Sequence, residues 1–156
     1  GRQGEQGRQG RQGEQGSRGS KLLPITHYLL PITHYRLINM PLIQVKTSIA
    51  QPQKSEVESL LKSLSSALAK QLGKPESYVM TAFESDIPMT FAGSTDPVCY
   101  IEIKSVGTMQ PNQTKAMSQE FCEKISQALG VPQNRIYIEF ADAKGLMWGW
   151  NGSTFG

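Results

Sequence analysis

Histidine is missing from most of this chain. Its two copies, His27 and His34, stand among the first 40 residues, and none occurs from Pro41 to Gly156. That stretch therefore has no Ser-His-Asp or Cys-His machinery and no histidine ligand for a metal. Cysteine is scarce as well. Cys99 and Cys122 are the only two, and they do not form a C-x-x-C pair, so a thioredoxin-like redox motif is excluded. They read as buried free thiols. No run is apolar enough to span a bilayer. A basic excess is also lacking where it would matter. The formal charge of the whole chain is +3, but six cations (Arg2, Arg8, Arg11, Arg18, Lys21, Arg36) and two acids (Glu5, Glu14) precede Met40. Residues 41–156 hold ten cations and eleven acids, a net of −1. Neither nucleic acid nor a membrane surface is an expected partner.

Residues 1–40 read as a low-complexity tail. Gly recurs at 1, 4, 7, 10, 13, 16 and 19. The period of three is that of collagen, but the run has no proline and is too short for a stable triple helix. LLPITHY then occurs twice, at 22–28 and 29–35. Tandem perfect repeats of two kinds suggest translated repetitive sequence, so the tail is expected to be absent from the mature protein. It is not a signal peptide: Pro24, His27, Pro31 and His34 interrupt its apolar stretch, and no small-residue cleavage site follows. On that basis the sequence places the protein in the cytoplasm.

What is present begins at Pro41, in a body of 116 residues that reads as one domain. The body contains an internal repeat. Leu42-Ile43-Gln44-Val45-Lys46-Thr47 matches Tyr100-Ile101-Glu102-Ile103-Lys104-Ser105, both alternating as a strand with one wet face should. Gly73, in Leu72-Gly73-Lys74-Pro75, follows Ile43 by 30 residues, and Gly130, in Leu129-Gly130-Val131-Pro132, follows Ile101 by 29. A helix is expected before each glycine. Ser55-Glu56-Val57-Glu58 reads as the capping box of the first, with Val57, Leu60, Leu61, Leu64, Leu68 and Leu72 as its apolar stripe. The second runs from about Thr114, with Met117, Phe121, Ile125, Ala128 and Leu129 as its stripe. Gly73 and Gly130 then supply the left-handed residue past each helix end.

Each half is thus strand, helix, strand, with Tyr78-Val79 and Ile136-Tyr137 in the second strands. The fold class that follows is α+β: a duplicated β-α-β unit forming a four-stranded mixed sheet with two helices on one face. Further short strands are expected at 146–150. Ile43, Val45, Val79, Ile101, Ile103, Ile136 and Ile138 look too apolar for a sheet with one solvated face, which points to an oligomer that buries it.

Six segments of the body, Met40-Pro41, Gly73-Lys74-Pro75, Phe91-Ala92-Gly93-Ser94, Ser105-Val106-Gly107, Arg135-Ile136-Tyr137-Ile138 and Trp150-Asn151-Gly152-Ser153-Thr154-Phe155, together resemble the macrophage migration inhibitory factor family of the tautomerase superfamily. The resemblance runs from Pro41 to Phe155. It implies a homotrimer whose three sheets line a barrel, with a keto–enol tautomerase site at each subunit interface. It implies that Pro41 is the catalytic base, that Lys74 binds a substrate carboxylate or oxyanion, and that the Val106 amide donates to the carboxylate. It further implies that Tyr137 enters from a neighbouring subunit. Trp148, Trp150 and Phe155 are possible lining of the pocket. No metal and no cofactor are implied. Members of the family can leave the cell by a non-classical route.

The chemistry is reasonable from first principles. Once Met40 is removed, Pro41 carries a secondary amine, whose unperturbed pKa is about 7.7–8.0. A nearby cation and an apolar pocket both lower it, towards the range where a general base works best. The expected substrate is a small enolisable aromatic 2-keto acid of the phenylpyruvate type, with dopachrome-like compounds also turned over. The rival reading is a cytokine-like binding protein with a vestigial or incidental site. Plainer roles stand beside the catalytic ones: Pro41 also fits the first residue of a strand, Lys74 a helix-end cation, Tyr137 a strand aromatic. Two departures bear on transfer. Glu139 stands where vertebrate members have asparagine, and Val98 and Ile101 occupy the positions of a C-x-x-C that some members carry.

Overall fold

The computed structural model describes residues 40–156. The repeats of the tail lie outside those residues. Strand β1 (Pro41–Thr47) leads through α1 (Lys54–Leu72) to β2 (Met80–Glu84), and β3 (Cys99–Val106) leads through α2 (Pro111–Leu129) to β4 (Ile136–Ala143). The sheet order is β2-β1-β3-β4. Within each half the two strands run parallel, and the halves join by the antiparallel pair β1–β3, in which Ile43 faces Ile103 and Val45 faces Ile101. The repeat in the sequence is therefore a pseudo-twofold axis between β1 and β3. Two short strands, β5 (Gly149–Trp150) and β6 (Ser153–Thr154), form a separate antiparallel pair near the C-terminus. A 3-10 turn occupies Gly145–Met147, so the strand expected at 146–150 is confined to its last two residues.

The helix starts differ from expectation for identifiable reasons. In α1 the residue flanking the first turn is Gln53, and the Glu56 carboxylate accepts from the Gln53 amide at 3.0 Å. The reach-back bond of a capping box is thus made two residues earlier than the Ser55 reading. Glu58 instead pairs with Lys54 at 3.8 Å, one turn away. Helix α2 begins at Pro111, not Thr114. A proline at the first helical position gives up no hydrogen bond and has the right φ already, and Gln113 Oε1 accepts from the Gln110 amide at 2.9 Å.

Val57 and Leu61 are only half-buried, but Leu60, Leu64, Leu68 and Leu72 of α1 and Met117, Phe121 and Ile125 of α2 pack onto Ile43, Val45, Ile101, Ile103 and Ile136 of the sheet. Ala128 is exposed. Burying a large aliphatic or aromatic side chain contributes about 1.5–3 kcal/mol, so this single cluster dominates the stability of the domain. It also accounts for the isoleucines and valines from which a second apolar face was expected. The apolar strand residues point to the helices, where they are already covered. The opposite face carries Gln44, Lys46, Glu84, Tyr100, Glu102, Lys104 and Glu139, together with Leu42 and the exposed Met80 and Tyr137. Ile43 and Ile101 alternate with those polar neighbours, so the sheet is amphipathic in the ordinary way. Among the described residues no helix is long and apolar enough to cross a membrane.

Candidate active site

Pro41 is the first residue of β1 and is buried. Its register partner is Ser105, which puts it beside Val106 at the end of β3. Beyond that pair the chain stays tied to β4, because the Gly107 amide donates to the Ala143 carbonyl at 3.0 Å. Strand β2 starts at the same end, with Met80 opposite Leu42. One end of the sheet thus gathers the start of β1, the start of β2 and the end of β3.

Lys74 is brought to that end by the way α1 stops. Gly73 lies at φ 63°, a left-handed conformation that a Cβ disfavours. The Lys74 amide then donates to the Ala69 carbonyl at 2.9 Å and the Gly73 amide to the Lys70 carbonyl at 3.2 Å, the paired bonds of a Schellman motif. The Lys74 backbone is therefore fixed. Its side chain is half-buried, and burial pulls its pKa below the ordinary lysine value. Lys74 takes no part in the ion pairs among the described residues, Lys54–Glu58, Lys104–Glu102 and Lys124–Glu120. A partly desolvated cation that forms no ion pair among the described residues is suited to receive an anion from solution.

Aromatic residues close over the same end. Tyr78, in the 3-10 turn Glu76–Tyr78 just before β2, meets Trp150 edge to face with ring centroids 6.1 Å apart. Trp150 stacks on Phe155 at 6.2 Å. The Phe155 amide donates to the Gly145 and Trp148 carbonyls, at 3.1 and 3.3 Å, folding the last residues back onto the turn that follows β4. A Cβ at Gly145 would stand 2.5 Å from the Phe155 carbonyl oxygen, so only glycine lets the backbones approach this closely. The sequence pattern puts Tyr78-Val79 in the second strand, but Tyr78 closes the 3-10 turn and β2 begins only at Met80. The available signal was the place of Tyr78 four residues after Lys74, directly ahead of a strand that starts beside Pro41.

Tyr137 does not join this group. It is the second residue of β4, opposite Tyr100, whereas the Pro41 row of the sheet is Ser105 and Asp142. Five residues of strand separate Tyr137 from that row, about 16 Å at 3.3 Å per residue. It is 64% exposed and packs on Phe91, ring centroids 5.0 Å apart. Glu139 projects from the same face of β4 and accepts a hydrogen bond from the Tyr100 hydroxyl, which pushes the Tyr100 phenol up to about 12. Within one chain, then, Pro41, Lys74, Val106, Trp148, Trp150 and Phe155 collect at one end, and Tyr137 with Glu139 lies towards the other. Cys99 is buried and Cys122 half-buried, and both are free. Among the described residues no group of histidine, cysteine, aspartate or glutamate is arranged to hold a metal ion.

A model of the macrophage migration inhibitory factor family matches residues 40–156. The macrophage migration inhibitory factor homolog of Brugia malayi is 38% identical over 117 residues, which cover 75% of this chain and 100% of that protein. The macrophage migration inhibitory factor of Xenopus tropicalis is 36% identical over 116 residues, 74% of this chain and 99% of its own length. Among solved structures, a macrophage migration inhibitory factor homologue from Prochlorococcus marinus superposes with a TM-score of 0.69 at 50% identity, covering 74% of this chain and 99% of that one.

Proposed function

Because the chain belongs to the macrophage migration inhibitory factor family, we propose that it is a keto–enol tautomerase of small aromatic 2-keto acids of the phenylpyruvate type. The active form begins at Pro41 and is a homotrimer. The observation that carries this reading is positional. The family match begins at Met40, and the residue after it is a proline buried at the sheet end that also holds Lys74 and Val106. While Met40 is attached, the Pro41 nitrogen is an amide and has no basic lone pair. Its removal leaves a secondary amine in a site with a cation and aromatic walls.

The proton balance is simple. The Pro41 amine takes a proton from the carbon next to the substrate ketone. The electron pair moves onto the carbonyl oxygen, and the resulting enolate is protonated on oxygen by the prolinium, which returns the amine to its starting state. Lys74 and the Val106 amide bind the substrate carboxylate, so the reacting carbon is held against the nitrogen. Tyr78, Trp150 and Phe155 provide an apolar wall for the ring of the substrate. Tyr137, some 16 Å along β4 in its own chain, reaches a site only as the contribution of a neighbouring subunit, which gives the trimer a chemical role. Cytokine-like binding is the second reading. It is favoured by Glu139, a carboxylate on the same face as Tyr137 that an anionic substrate would meet.

The test is the ketonisation of enol-phenylpyruvate, followed by absorbance, with protein whose first residue is proved to be Pro41. Turnover well above the buffer rate supports the enzyme. A rate equal to buffer, in folded protein, leaves the binding reading in its place.

A further inference from the structure

Arg135 sits in a cage that contains no carboxylate. Its Nε donates to the Pro97 carbonyl at 2.9 Å, Nη1 to the Phe91 carbonyl at 3.3 Å, and Nη2 to the carbonyls of Ser94 at 3.2 Å and Asp96 at 2.9 Å. The guanidinium carbon also lies 5.3 Å from the centroid of the Phe91 ring. All four acceptors belong to one loop, between β2 and β3. The planar fork spans positions that a lysine ammonium cannot reach together.

The loop it holds is strained. Phe91 and Ser94 exchange two backbone hydrogen bonds, each 3.0 Å, around Ala92 and Gly93. Both central residues have positive φ, 51° and 73°, the pattern of a type I′ turn. Glycine accepts that conformation freely, but alanine does not, and such strain persists only where surrounding contacts over-determine it. Two of the Arg135 acceptors are the carbonyls that flank this turn. The turn presents Phe91, and Phe91 packs edge to face on Tyr137, with the ring planes 70° apart. Tyr137 is two residues after Arg135, which ends the 3-10 turn Gln133–Arg135 immediately before β4.

We propose that Arg135 is a positioning residue: by caging the 91–97 loop it fixes Phe91, and through Phe91 it sets the orientation of the Tyr137 ring that lines the substrate pocket. The part of this that concerns substrate rests on the tautomerase reading. The part that concerns the ring does not. In this role Arg135 acts through Phe91, with no substrate contact and no proton transfer required of it.

Two readouts separate these parts. The full chain is labelled with 3-fluorotyrosine, and the Tyr137 fluorine resonance is identified by its loss in Tyr137→Phe. Arg135→Lys keeps the charge and loses the fork, and Phe91→Leu removes the ring and leaves the cage. Both variants should move or broaden the Tyr137 resonance in the same direction. In the active protein Arg135→Lys should raise KM for phenylpyruvate and lower kcat/KM by about threefold to tenfold, the size of one aromatic pair. In a Tyr137→Ala background the same substitution should add nothing further. An unmoved Tyr137 resonance in folded Arg135→Lys protein overturns the proposal. So does a full additional loss of kcat/KM in the Tyr137→Ala background, which would assign Arg135 to general stability alone. If the unmutated protein has no turnover, the tautomerase reading falls, and the fluorine signal still decides whether Arg135 positions the ring.

Discussion

At the scale of single residues, two titratable side chains show what burial does to a group that would carry charge. Lys74 has its pKa lowered by burial. Its charged form is therefore disfavoured by the fold, a cost fully present below its folded pKa and relieved as pH rises from there to the ordinary lysine value. A bound carboxylate offsets that cost directly. Lys74→Ala should lower kcat/KM for a carboxylate substrate by about tenfold to a hundredfold, corresponding to roughly 1.5–3 kcal/mol for a charge-assisted hydrogen bond. The loss should be much smaller for the neutral ester, and steady-state kinetics on the acid–ester pair checks it. Cys99 is the converse case. Burial, and after it the neighbouring Cys122, push its thiol from 9.0 up to about 12. Between those values the folded chain keeps a proton that the unfolded chain releases, so this group makes stability fall as pH rises from 9 towards 12. Tyr100, raised to about 12 first by its bond to Glu139, acts in the same direction. At pH 8 the Cys99 thiol should resist alkylation in the native protein and react only on unfolding, which mass spectrometry after a short iodoacetamide pulse measures.

At the scale of elements, the ends of the helices do more for the site than their middles. Gly73 stops α1 in a left-handed turn, and that turn delivers Lys74. A Cβ at Gly73 meets nothing within 4 Å, so the only cost of Gly73→Ala is the backbone conformation. Denaturant unfolding should show a loss of about 1 kcal/mol. A loss above about 3 kcal/mol would mean that the glycine answers a packing need instead. Gly73 and Gly130 were legible in the sequence because each stands between an apolar stripe and a proline, as were the two strands of the repeat with their alternation. The helix starts were less so. Ser55 and Glu58 match the capping pattern by residue type, but Glu56 already bonds the Gln53 amide, and local pattern does not rank two overlapping caps. The apolar strand residues misled in another way. A count of isoleucines and valines does not say which face they share; only the register, with Ile43 on Ile103 and Val45 on Ile101, puts them all beneath the helices. The packing of Tyr78 and Arg135 was not legible, for a common reason. Their partners, Trp150 and the Phe91–Pro97 loop, are distant in sequence, and no spacing rule connects them.

At the scale of the whole molecule, the proposed site would be incomplete in a single chain. Pro41, Lys74 and the aromatic residues sit at one end of the sheet, and Tyr137 lies towards the other. An assembly that sets one chain's Tyr137 against the next chain's Pro41 completes the pocket, and a ring of three does so with no end left over. Sedimentation equilibrium of the active protein should give three copies, and a monomer with full activity would refute the shared site. The polar residues of the open face, with Glu84, Glu102 and Glu139 among them, would then line the interior, so the assembly should be held at its strand edges and loops. The central claim is the identity of the base, and one measurement tests it most directly. Two preparations of the protein, identical except that one retains Met40 ahead of Pro41, are verified by intact mass and assayed side by side with phenylpyruvate. The form beginning at Pro41 should turn over, and the form retaining Met40 should be folded and inactive. Equal turnover by the two would show that the proton is taken by a group other than the Pro41 nitrogen.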